Sequence, residues 1–155
     1  MNGDTAASES PTAEELIYRF PGELITHDNA DHYRGRLARR LLMNRCADCR
    51  SWHAPPHPVC PRCWSHQVAA EEVQGSGTIY LLTFLHQGPP APGVAYDPPY
   101  PVVTVELDEQ PGLRVTSTVV DADLDDIVIG ARVRLSWRTF DRAPMPVFVL
   151  NDAPR

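Results

Sequence analysis

No stretch of the 155-residue chain holds the run of about 18 apolar residues that a membrane-crossing helix needs. The N-terminus, MNGDTAASESPTAEE, is acidic and polar where a secretory leader would be basic and then apolar. A soluble, unexported protein of the reducing cytoplasm is therefore expected, with no membrane partner. Lysine is absent as well, since all fourteen cations are Arg, and this carries no functional reading by itself. The patterns G-x-S-x-G, H-E-x-x-H, the P-loop and G-x-G-x-x-G are also missing, which removes the motif-bearing hydrolases, zinc peptidases and nucleotide-binding folds from consideration. No internal repeat is visible.

What is present fits one compact domain with a small appendage, and 43% hydrophobic residues is ordinary for a soluble protein. The net charge of −6 is unevenly spread. Residues 1–31 carry one Arg against seven acids, residues 32–66 seven Arg against one acid, and residues 67–155 six Arg against twelve acids. A basic island thus lies between acidic flanks.

The four cysteines all fall in CADCRSWHAPPHPVCPRC, residues 46–63. In a reducing compartment, two C-x-x-C pairs are metal ligands before they are disulfides. Cys46, Cys49, Cys60 and Cys63 can close a tetrahedral shell of four thiolates, as structural zinc requires, and such a shell leaves no position for a catalytic water. The metal is therefore expected to hold the fold, with iron as the alternative ion. Arg50 and Trp64 stand where each knuckle commonly has Gly. His53, His57 and His66 lie nearby and are expected at the surface or around the ligand shell rather than on the metal.

Four segments follow from pattern. Residues 1–28 read as a tail whose apolar patch, Leu16, Ile17, Tyr18 and Phe20, docks locally. Residues 29–42 read as an amphipathic helix, capped at Asp28 or Asn29, with Tyr33, Leu37 and Leu41 at four-residue spacing and Gly35 weakening it. Residues 43–70 form the rubredoxin-like zinc ribbon. In residues 71–155, the β-branched and aromatic runs 76–86, 101–108, 113–120, 132–140 and 146–151 read as five strands, with DADLDDIVIG as a short turn or helical insert. That order suits a mainly β protein ending in an oligonucleotide/oligosaccharide-binding (OB) barrel, and a two-sheet sandwich is the competing architecture. The connection QGPPAPGVAYDPPYP, residues 87–101, has six prolines in fifteen residues, and a connection that long is usually functional or disordered.

Chemistry outside the cysteines is thin. His86 beside the long loop and Asp97 within it are a conceivable general-base pair, and a lone His at a strand end is more often a structural hydrogen-bonder. Glu106/Asp108 and Asp125/Asp126 read as solvated charges. Nucleic-acid binding is a competing function, with Tyr80, Phe84, Trp137 and Phe140 as stacking candidates, but the net negative barrel opposes phosphate contacts.

The order of elements resembles a known family: YRGRLARRLLMNRCADC, PPHPVCPRC, GSGTIYLLTFLH, YPVVTVELDEQPGLRVTS, IGARVRLSW and PVFVL. Over residues 28–152 the chain resembles the zinc-ribbon plus OB-fold acyl-CoA-associated family, long known only as a domain of unknown function. The 86–113 segment resembles the branch paired with thiolase-like, lipid-transfer-protein-type aldolases. The resemblance implies a non-catalytic subunit of a hetero-oligomer that stabilises such an aldolase and helps handle an acyl-CoA thioester in retro-aldol cleavage during steroid side-chain degradation. On this reading the catalytic residues belong to the partner. Arg34, Arg36, Arg39 and Arg40 are candidates for a partner's acids or coenzyme A phosphates, because guanidinium forks suit phosphate oxygens. Tyr96 and Tyr100, on the stiffened loop, are candidate partner anchors. A single-strand nucleic-acid binder and a free-standing enzyme using His86 are the other readings.

Overall fold

The computed structural model describes residues 10–151. Residues 1–9 of the expected tail and 152–155 of the expected barrel segment lie outside them. Two short helices come first, α1 (Ala13–Arg19) and α2 (Ala30–Leu37), and the rest is β structure. From residue 10 onward the expected tail is therefore helical in part. Thr12 caps α1 by accepting from the Glu15 amide at 3.2 Å, and Glu14 and Glu15 sit in the first turn, where the helix dipole favours acids. Leu16 and Phe20 from the expected patch are buried against Ala30, Tyr33 and Ala143, whereas Ile17 and Tyr18 are exposed.

The helix expected over 29–42 stops at Leu37. The Arg40 amide folds back to the Gly35 carbonyl at 2.8 Å, and Arg39 takes a left-handed φ of 56°. Leu41, placed by spacing on the helix, instead enters the barrel core. Gly35 is required by a close crossing, since a Cβ there would lie 2.6 Å from Leu42 Cγ. Asn29 does not cap α2 through its side chain; its Oδ1 accepts from Thr26 N and its Nδ2 donates to Leu24 O, closing the preceding turn.

Next come β1 (Leu42–Cys46), β2 (Trp52–His53) and β3 (Val68–Glu72), an antiparallel sheet in the order β2-β1-β3. The larger sheet contains β4 (Ser76–Leu85), β5 (Tyr100–Leu107), β6 (Arg114–Ser117), β7 (Arg132–Phe140) and β8 (Ala143–Leu150), in the order β6-β5-β4-β7-β8. A single turn of 3-10 helix, Leu124–Asp126, fills the expected insert. The two edges of this sheet meet. Val119 bridges Phe148 in parallel, with Phe148 N donating to Thr118 O and Val120 N to Phe148 O, both at 2.9 Å. That near closure defines the OB barrel and removes most of the edge that an open sheet would leave. A sandwich is thereby excluded.

Sequence explains the barrel locally. YPVVTVEL in β5 alternates without fault, and its buried residues are Pro101, Val103, Val105 and Leu107. The two glycines opening β4 sit at crossings: a Cβ on Gly75, whose φ is +79°, would lie 2.4 Å from Leu135 Cβ, and one on Gly77 2.4 Å from the Glu106 carbonyl oxygen. Leu41, Met43 and Val73 pack with Ile79, Val103, Val133 and Phe148, so the ribbon sheet and the barrel share one core.

Candidate metal centre

Cys46 ends β1, Cys49 lies in the turn before β2, and Cys60 and Cys63 belong to the second knuckle. Each knuckle is tightened by its own backbone: Cys46 N donates to Ser51 O at 2.9 Å and Cys60 N to Ser65 O at 2.8 Å. The first knuckle is tied to β3 through the Ala47 amide and the Gln67 carbonyl at 2.8 Å. Arg50 and Trp64 take φ of 62° and 63°, the left-handed conformation a glycine would adopt there. The turn geometry is thus kept although the glycines are gone.

All four Sγ atoms lie within 4.8 Å of one another, with Cys46 to Cys63 and Cys49 to Cys60 each at 3.6 Å. A tetrahedral ion with Zn–S bonds of ~2.3 Å needs ligand sulfurs roughly 3.8 Å apart, so the donor set and its spacing fit zinc. Four thiolates this close repel one another unless a cation sits among them. Ser51 tunes the set. Its hydroxyl contacts Cys49 Sγ at 3.0 Å and Cys60 Sγ at 3.5 Å, and hydrogen bonding from Ser51 brings the Cys60 thiol down to about 6 and lowers that of Cys49. Sequence reasoning passed over Ser51; its position two residues after the second ligand was the available signal.

The histidines stay off the metal group, which consists of the four cysteines alone among the described residues. His53 is buried with neither ring nitrogen hydrogen-bonded and stacks on His57 at 6.3 Å between centroids. His66 is exposed.

The four arginines on and after α2 are not gathered into one cationic patch; each reaches a different part of the chain. Arg34 bonds Asp31 at 2.8 Å and the Pro11 carbonyl at 3.0 Å. Arg36 lies over the Phe20 and Tyr33 rings, at 4.7 and 5.5 Å, and reaches the Pro144 carbonyl. Arg40 pairs with Glu72 at 2.8 Å, and Arg39 reaches Thr139 at 3.4 Å. Tyr96 is half-buried and folds onto its own loop, its hydroxyl donating to the Pro89 carbonyl at 2.9 Å. Tyr100 lines a cleft of about 320 Å³ with Pro98, Pro99, Val119, Leu124 and Phe140.

His86 and Asp97 are both exposed, and no hydrogen bond joins them. Glu106 and Asp108 are ion-paired rather than merely solvated, with Arg114 at 3.1 Å and Arg132 at 2.5 Å. Of the stacking candidates, Tyr80 carries Arg114 on its ring face at 3.6 Å, while Phe84, Trp137 and Phe140 are half-buried. No helix of the described residues is long and apolar enough to cross a membrane.

A closed four-cysteine centre on a small sheet, sharing its core with a five-stranded barrel, makes this a zinc-ribbon and OB-fold protein. Two family models match in tandem: the ChsH2 rubredoxin-like zinc ribbon domain over residues 34–69 and the ChsH2 C-terminal OB-fold domain over residues 70–138. A DUF35 domain-containing scaffold protein of Pyrococcus furiosus is 33% identical over 107 residues, covering 69% of this chain and 74% of that one. The chain belongs to this DUF35 family. A probable enoyl-CoA hydratase alpha subunit of Thermomonospora curvata is 38% identical over 129 residues, 83% of this chain, but the match spans only 39% of that longer protein. Among solved structures, a chain of the Ltp2-ChsH2(DUF35) aldolase superposes with a TM-score of 0.74 at 36% identity, covering 83% of this chain and 98% of that one.

Proposed function

We propose that this chain is a non-catalytic auxiliary subunit, which binds and stabilises a thiolase-superfamily aldolase and helps handle an acyl-CoA thioester. The observation that carries the reading is the likeness, over almost the whole of that chain, to a component of the Ltp2-ChsH2(DUF35) aldolase. The finer assignment is retro-aldol cleavage of a β-hydroxyacyl-CoA during steroid side-chain degradation, in the cytoplasm. Such a cleavage needs a base for the β-hydroxyl proton and a stabilised enolate on the thioester side. Both would come from the partner, in keeping with the unpaired His86 and Asp97 and with a metal shell of four thiolates that offers no open position.

Zinc, when bound, supplies folding energy and no reaction chemistry. This chain's own residues present a surface: Arg36 and Arg39 tie the α2 segment to the barrel and Arg40 ties it to the ribbon sheet, so the whole docks as one preorganised body. Arg39, exposed and held only by its 3.4 Å bond to Thr139, is the least committed of the quartet and the one we assign to coenzyme A phosphates. The barrel's Arg114, Arg132 and Arg138 are spent on Glu106, Asp108 and Asp121, which argues against a cationic track for nucleic acid.

Expression of the tagged chain in its native host, followed by identification of what elutes with it, tests the reading. A stoichiometric thiolase-like protein, with thioester cleavage by the complex and none by the isolated chain, is expected. Co-elution of nucleic acid alone, or cleavage by the isolated chain, would refute it.

A further inference from the structure

β4 outruns its neighbour. β7 pairs with it only at Ser76, Gly77 and Thr78. The turn ahead of β7 adds two hydrogen bonds, Ile79 N to Ala131 O at 3.0 Å and Gly130 N to Ile79 O at 2.8 Å. The register then shifts at Tyr80, and from Leu81 to Leu85 the strand pairs with β5 on one side. Its other edge has no backbone partner among the described residues.

Apolar side chains collect at this edge. Leu81, Leu85, Val128 and Ile129 are 55%, 37%, 51% and 63% exposed, and with Tyr80 they are the exposed large hydrophobics of the barrel. The pairing of Gly130 with Ile79 carries Ile129 to the same stretch of edge as Tyr80 and Leu81. Free strand edges are ordinarily blunted by charge or proline, yet LLTFL, residues 81–85, has neither. Just upstream of Val128, Asp123, Asp125 and Asp126 have no ion-pair partner among the described residues. These carboxylates would complement a partner segment that carries Arg or Lys beside its apolar residues, and a second copy of this acidic turn offers no such charge.

We propose that the Leu81–Leu85 edge of β4, together with Val128 and Ile129, is where the partner subunit docks, through an extended apolar segment flanked by Arg or Lys. Strand addition would satisfy the free edge by main-chain hydrogen bonds, and the apolar side chains would anchor it. This inference rests on the aldolase-partner reading and adds a surface to it.

The test uses the co-expressed complex with wild-type chain, Leu81→Glu/Ile129→Glu, and Ile17→Glu/Leu24→Glu as an exposed control outside the β4 edge. All three should keep one zinc and the same melting behaviour, because the altered side chains are exposed. The β4 variant should bind the thiolase-like subunit at least about 30-fold more weakly, as expected for buried interface anchors, with the control unchanged. Asp125→Lys/Asp126→Lys should also weaken the complex. If the wild-type chain binds the partner and the β4 variant binds it equally, the docking site is wrong while the auxiliary-subunit reading stands. If the wild-type chain binds no such partner, both fall. A self-dimer lost in the β4 variant, with partner binding intact, would give the edge to a second copy and overturn the proposal.

Discussion

Removing the metal should unfold the ribbon and leave the barrel standing. Between Cys46 and Val68 the buried residues are Ser51, His53 and Cys60, so this segment has almost no apolar core of its own. Ordering roughly twenty residues costs on the order of 20 kcal/mol of backbone entropy at about 1 kcal/mol each. Against this stand eight or so hydrogen bonds, among them the Cys46, Ala47, Cys60 and Trp64 amide bonds and the two between Gln110 and the Trp52 backbone, worth about 1 kcal/mol apiece. Zinc binding contributes a further ~10–16 kcal/mol, which closes the account to within a few kcal/mol. Without metal the segment is therefore short by about 10 kcal/mol, while Ile79, Val103, Val105, Val133, Val147 and Phe148 remain buried in the barrel. Two assays read this. After zinc is stripped by chelator, or in Cys60→Ser, trypsin should cut at Arg50 and Arg62 while cleavage at Arg132 and Arg134 stays slow. Hydrogen exchange should become fast at the Ala47, Cys60 and Trp64 amides and stay slow at Leu107 and Phe148. Continued protection of the Cys60 amide in zinc-free protein would refute the argument, as would loss of both regions in one transition.

Gln110→Ala removes the side chain that accepts from Trp52 N and donates to Trp52 O, both at 2.9 Å, so a loss of about 1–3 kcal/mol is expected in urea titration with the zinc content unchanged. Trp64→Gly should stabilise by up to about 1 kcal/mol, because Trp64 is exposed and holds a left-handed φ of 63°, and a lowered midpoint would contradict this. Burial, followed by the hydrogen bond to Glu23, pushes the Tyr33 hydroxyl up to about 12. Folding therefore favours the protonated phenol, and this contribution is complete below the unfolded value of about 10 and is lost as pH rises through 12. Tyr33→Phe should flatten that alkaline fall in stability, of about 1–2 kcal/mol, in pH-dependent denaturation.

How far these features could be read in advance depends on whether their cause is local. The metal ligands were legible because a C-x-x-C turn brings its own two sulfurs together, and β5 was legible because its alternation is intact. Leu41 was misplaced because four-residue spacing continues from Tyr33 and Leu37, while the stop after Leu37 is made by a backbone hydrogen bond to Gly35. The arginines looked like a free cationic face because their partners are distant in sequence: Pro144 for Arg36, Thr139 for Arg39 and Glu72 for Arg40. In the same way, the register shift at Tyr80 interrupts the alternation of TIYLLTFL and hides which residues face outward.

These two kinds of feature divide the molecule's labour. The cysteines act locally, and by holding the ribbon they fix β1, whose Met43 lies with the preceding Leu41 in the barrel core. That shared core sets the ribbon, the helices and the uncovered β4 edge in one frame. A metal that only staples therefore bears on partner binding from a distance, since Leu41 and Met43, next to the ribbon, share a core with Ile79, two residues before the free edge begins at Leu81.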